Sequence, residues 1–106
     1  MATTARMEQL EALLASDPGD AFLQYGLAME HFSLGNDAAG VVVLEKLIAT
    51  ATPPYIPAYL MAGQALIRAG REAEAATILK AGIEAATAAG NTHALGEMQG
   101  FLATVE

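Results

Sequence analysis

The sequence predicts an all-α fold, a string of about six helices joined into antiparallel hairpins, and three observations carry that expectation. Gly and Pro divide the 106 residues into stretches of helical length, at Asp17-Pro18-Gly19, Gly35-Asn36-Asp37, Thr52-Pro53-Pro54, Gly70-Arg71 and Gly90-Asn91. Between these breaks apolar residues recur three and four apart, the period of a helix and not the two-residue alternation of a strand. The breaks are short, and short connections between helices force successive ones to run antiparallel.

Each segment has its apolar face. Met7, Leu10, Leu13 and Leu14 line the first. Leu23, Leu27, Ala28 and Leu34 line the second, with Phe22, Tyr25, Met29 and Phe32 beside them. The third offers Val41, Leu44, Leu47 and Ile48, and the fourth Tyr59, Ala62, Leu66 and Ile67. Ala75, Ile78, Leu79 and Ile83 mark the fifth, and Leu95, Met98, Leu102 and Val105 the last. Val41-Val42-Val43 alone has strand propensity, and three residues inside a helical pattern do not make a strand. Gly35, Gly70 and Gly90 stand where a left-handed turn would end a helix. Asp20, Asn36 and Asn91 stand where a side-chain oxygen would cap the next one. Pro18 and Pro57 suit helix starts, where Pro gives up no needed donor.

Composition narrows the class. Apolar residues are 54% of the chain and charged residues 16%, against about 25% charged in an ordinary globular protein, which argues against intrinsic disorder. With no Cys, disulfide scaffolds, thiol nucleophiles and cysteine zinc sites are excluded. The net charge of −7 argues against nucleic acid and anionic lipid, which reward clustered Lys and Arg. Met1 to Ala5 has no basic cluster and no apolar run after it, so no secretory signal is expected. No stretch reaches the roughly 20 apolar residues of a membrane span. A cytoplasmic protein is the default expectation.

The chain also repeats itself. Gly35 and Gly70 lie 35 residues apart, and each closes a helix. Seven residues before them stand Ala28 and Gly63, both small; five after stand Gly40 and Ala75, again small. Four further on are Leu44 and Leu79, both large and apolar. Written out, one copy reads Gln24-x2-Leu27-Ala28-x2-His31, Gly40-x3-Leu44, Pro53, and the other Tyr59-x2-Ala62-Gly63-x2-Leu66, Ala75-x3-Leu79, Thr87. This resembles the tetratricopeptide repeat, the helix–turn–helix unit W-x2-L-G-x2-Y…A-x3-F…P. The departures are the missing Trp, His31 in an aromatic place and a Pro53 that falls one residue late.

The resemblance implies a right-handed superhelical stack of antiparallel helical hairpins, an α-solenoid. It divides the chain as one domain into an N-terminal capping helix (4–16), two repeats (20–53 and 55–89) and a C-terminal capping helix (91–105). It further implies a groove lined by the first helix of each repeat. Mapped here, that surface is Phe22, Tyr25, Met29, Phe32 and Ser33, then Pro57, Leu60, Met61, Gln64 and Arg68. Such a groove suits an apolar or amphipathic segment of a protein or peptide partner, unless the closing helix covers it. Some members clamp a peptide carboxylate with several cations; here Arg68 is the one cation, so no clamp is expected.

Other features carry less. His93 and Glu97 lie four apart, but two ligands make no metal site, and His31 reads as a packed ring. Gly96 and Gly100 form a flat strip, expected to pack on the preceding helix or, alternatively, on a second copy of the chain. Ser16 and Ser33 have no base at convincing spacing, and the carboxylates scatter over different helices. The expectation is a non-catalytic adaptor with no cofactor, no metal, no nucleic acid and no membrane. Homodimerisation through the groove or the last helix is the alternative.

Overall fold

The computed structural model describes residues 4–106. Six helices follow in order: α1 Ala5–Ser16, α2 Ala21–Ser33, α3 Asp37–Thr50, α4 Ile56–Arg68, α5 Glu72–Ala89 and α6 Thr92–Ala103. The described residues contain no strand, and Val41-Val42-Val43 lies within α3. The chain divides into two compact units, Met1–Ala51 and Thr52–Glu106. In the first, α2 packs on α3 and α1 on α2; in the second, α5 packs on both α4 and α6, and α4 also meets α6.

Local chemistry sets the helix ends. Gly35, Gly70 and Gly90 adopt φ of +76°, +75° and +70°, where a side chain would be strained. After each, the next backbone N–H reaches back to the helix: Asn36 to His31, Arg71 to Leu66 and Asn91 to Ala86, all at 2.9 Å. Asp20 caps α2 through Oδ1, accepting from Leu23 N at 2.9 Å, and Asn91 caps α6, accepting from Ala94 N at 3.1 Å. Two expectations need correction. Asn36 occupies the N-cap of α3 without a side-chain cap bond. Pro18 starts no helix; it sits in the turn closed by Asp20 N donating to Asp17 O at 3.2 Å, whereas Pro57 does lie in the first turn of α4.

Two helix starts use residues the sequence did not single out. Thr4 caps α1 by accepting from Met7 N, and its hydroxyl donates to Glu30 on α2 at 3.4 Å. Arg71 donates from Nε and one terminal nitrogen to both Glu74 oxygens at 2.7 Å. That fork holds the Glu74 carboxyl below its ordinary value.

Shape complementarity holds each hairpin. A Cβ built on Gly63 of α4 would lie 2.5 Å from a Leu79 methyl on α5. One built on Gly40 of α3 would lie 2.5 Å from the Phe32 ring on α2. Gly82 of α5 is the tightest site, because its Cβ would meet Met98 Sδ at 2.5 Å and Tyr59 Cβ at 2.6 Å. Around these notches Leu44, Leu47, Leu66, Leu79 and Met98 are fully buried, each contributing about 1.5–3 kcal/mol by area. Among the described residues no polar or charged side chain is buried.

Some expected core residues are not core. Leu13 is 54% exposed and Leu34 40%; α1 packs chiefly on α2, and Leu34 lies past the end of its helix.

Gly82→Ala should therefore destabilise by about 1–3 kcal/mol, although Ala gains about 1 kcal/mol of helix propensity. Tyr59 Cβ is fixed to its backbone and cannot swing away. Gly96→Ala, with nothing within 4 Å of the new methyl, should stabilise by up to about 1 kcal/mol. Thermal unfolding of the two variants should move in opposite directions; a stabilised Gly82→Ala would remove the notch from the account.

Candidate functional site

An open cleft of about 250 Å3 lies within the second unit, lined by Gln64, Ile67 and Arg68 of α4 and by Phe101 of α6. Positions 64, 67 and 68 share a helix face. On the preceding turns Leu60 and Met61 are half-buried and Pro57 is exposed, and Gln64 Nε2 lies 3.8 Å from Met61 Sδ. Gln64 and Arg68 were expected at a groove. Ile67 was expected in the core, and Phe101 was not singled out. Its signal is its place three residues after buried Met98, on a helix that meets α4.

In the first unit the expected groove residues follow α2. Phe22 is 72% exposed, Tyr25, Met29 and Phe32 are half-buried, and Ser33 is exposed. Phe32 differs from the others, since its ring edge fills the notch at Gly40 and so belongs partly to the α2–α3 interface. It stands 35 residues before Ile67, which holds the equivalent place in the second repeat.

The first unit contains another groove, of about 260 Å3, which sequence reasoning missed. Leu14, Pro18, Leu27, Val42 and Val43 make it mostly apolar, with Gln24 and Lys46 as its polar members. Val42 is 65% exposed although Val41 beside it is 2% exposed.

The remaining candidates are placed as follows. His93 Nε2 lies 3.1 Å from Glu97 Oε1. Among the described residues, no three His, Cys, Asp or Glu side chains group so as to hold a metal ion. His31 Nδ1 is buried without a hydrogen-bond partner. Gly96 and Gly100 have no described atom within 4 Å of an added Cβ, so the strip does not pack on α5 as expected; Met98 and Gly82 make that contact instead. No helix is long and apolar enough to cross a membrane among the described residues.

Helices paired through reciprocal small and large residues define an all-α helical repeat protein. No family model matches the chain, and no curated protein matches it in sequence. Solved structures do. The chain is similar to the tetratricopeptide repeat domain protein from Salinibacter ruber in its solution NMR structure, with 30% identity and a TM-score of 0.77. That match covers 84% of this chain and 89% of the other. For the crystal structure of that domain the values are 29% and 0.75, over 81% of this chain and 96% of the other. A protein from Bordetella parapertussis is similar at 25% identity and a TM-score of 0.79, over 97% of this chain and 89% of that one. The chain belongs to the tetratricopeptide repeat family, whose domains serve in general as protein-interaction modules.

The two phenylalanines of α2 should behave differently. Phe22→Asp should leave stability within about 0.5 kcal/mol, as surface substitutions do. Phe32→Asp empties the Gly40 notch and places a charge against it, costing about 2–4 kcal/mol. Urea unfolding of both variants decides; equal effects would remove Phe32 from the hairpin interface.

Proposed function

We propose that this protein is a non-catalytic interaction module that holds an apolar or amphipathic segment of a partner protein on its first-helix faces. The residues are Phe22, Tyr25, Met29 and Phe32 on α2, and Pro57, Leu60, Met61, Gln64 and Arg68 on α4. Residues 20–53 and 55–89 are its two repeats, flanked by 4–16 and 91–105. The observation that carries this reading is the α4–α6 cleft, where Gln64 and Arg68 stand beside Ile67 and Phe101. An apolar wall with polar groups at its edge takes an apolar side chain and orients its backbone. Met29 and Met61 lie half-buried on these faces and can repack around different shapes.

Affinity capture from lysate tests it. Phe22→Asp and Tyr25→Asp should each lose the captured partner while circular dichroism keeps full helicity. Retained capture in both variants removes α2 from the site, and lost helicity in both assigns the rings to the core.

The open strip at Gly96 and Gly100 favours a second reading, in which α6 pairs with α6 of another copy. Light scattering over a wide concentration range should then show a rising mass, which Gly100→Leu lowers toward the monomer. A mass unchanged by that substitution excludes the strip.

A further inference from the structure

We propose that the groove across α1, α2 and α3 is a second docking surface, and that its occupant is an amphipathic helix with an apolar spine and Lys or Arg flanks. It is separate from the surface proposed above. Gln24 and Leu27 leave α2 on the side opposite Phe22, Tyr25 and Met29, as the 100° advance per residue requires. The groove also lies wholly within the first unit.

Its size and lining select a polypeptide. At about 260 Å3 it falls below the roughly 300–1,000 Å3 of small-molecule sites, and it is open to solvent. Leu14, Leu27, Val42 and Val43 offer an apolar bed that exposed Lys46 also lines; a lysine stem covers apolar surface while its ammonium stays in water. The large apolar side chains left exposed among the described residues, Leu13, Phe22, Leu34 and Val42, all belong to this unit. Leu13 adjoins the lining residue Leu14, and Val42 is itself in the lining.

Charge selects the flanks. Glu11 stands one turn before Leu14 on α1, Asp17 precedes Pro18, and Glu45 stands one turn after Val42 on α3; all three are exposed. None of the three is in an ion pair among the described residues. A cationic flank meets these carboxylates while the spine enters the groove, and complementary charge of this kind speeds and orients docking. A second copy of the chain is a poor occupant. It brings another net −7, and of its five Lys and Arg, Arg6, Arg71 and Lys80 already face Glu30, Glu74 and Glu106 while Lys46 lies in this same groove.

The test uses the full chain and two fluorescein-labelled synthetic helices of about 18 residues, or about 27 Å, sharing a Leu spine. One has Lys flanks and the other Glu flanks. The Lys peptide should bind, more weakly as salt rises, and at least about tenfold more tightly than the Glu peptide. Val42→Gln should weaken it about fivefold with Tm unchanged, while Tyr25→Asp leaves it unchanged. Replacing Glu11 and Glu45 by Gln should flatten the salt dependence. In NMR spectra of the unsubstituted protein, the methyl signals of Leu14, Leu27, Val42 and Val43 should shift on titration. No binding, or equal binding of both peptides, overturns the proposal. Binding lost with Tyr25→Asp and kept with Val42→Gln moves the peptide to the other face of α2, which also overturns it. So does a concentration-dependent mass that Val42→Gln abolishes, because the occupant is then a second copy.

Discussion

Everything in this fold depends on one exchange: a glycine on one helix opens a notch, and a large side chain from its neighbour fills it. Gly40 receives Phe32, Gly63 receives Leu79, and Gly82 receives Met98 and the base of Tyr59. Each glycine costs about 1 kcal/mol of helix propensity, a cost met only where two backbones gain contact across the notch. The buried residues among those described are apolar or aromatic, so shape chiefly fixes how far each helix slides along its partner. That is why size at columns 28/63, 40/75 and 44/79 matters more than identity.

Much of this was legible in the sequence, because helix ends and notches are local. Gly35, Gly70 and Gly90 announce their positive φ through residue type alone, and Ala28, Leu44, Ala75 and Leu79 fall in repeat columns that are all buried. The misses share a cause. Leu10 and Leu13 lie on the same apolar stripe, yet Leu10 is 7% exposed and Leu13 54%. The stripe's width depends on how many neighbours a helix has, which no residue of that helix encodes. Asn36 has a capping side chain and the right position, yet it makes no side-chain cap bond, while Asn91 with a similar backbone, ψ 82° against 65°, does; residue type and position alone do not decide a cap.

The candidate sites show where sequence reasoning stops. Phe32 and Ile67 occupy one repeat column, yet the aromatic ring suggested a groove and the aliphatic chain a core. In the structure Phe32 fills a notch and Ile67 lines a cleft. Leu14, Leu27, Val42 and Val43 come from three helices, and an apolar residue at helical spacing reads the same whether it faces a core or an unfilled groove. Only the third dimension separates the two.

The burial is unevenly shared between the units, and that has a dynamic consequence. The second unit holds Tyr59, Leu66, Leu79 and Met98 together with a series of fully packed alanines, while the first keeps a shorter set around Leu44 and Leu47 and leaves Phe22 and Val42 to solvent. Local opening costs least where the fewest apolar contacts must break. Amide protons of α1 and α2 should therefore exchange with solvent sooner than those of α4 and α5. A ligand that covers the first unit then closes those excursions, so its free energy of binding appears partly as slower hydrogen exchange at amides of that unit it never touches.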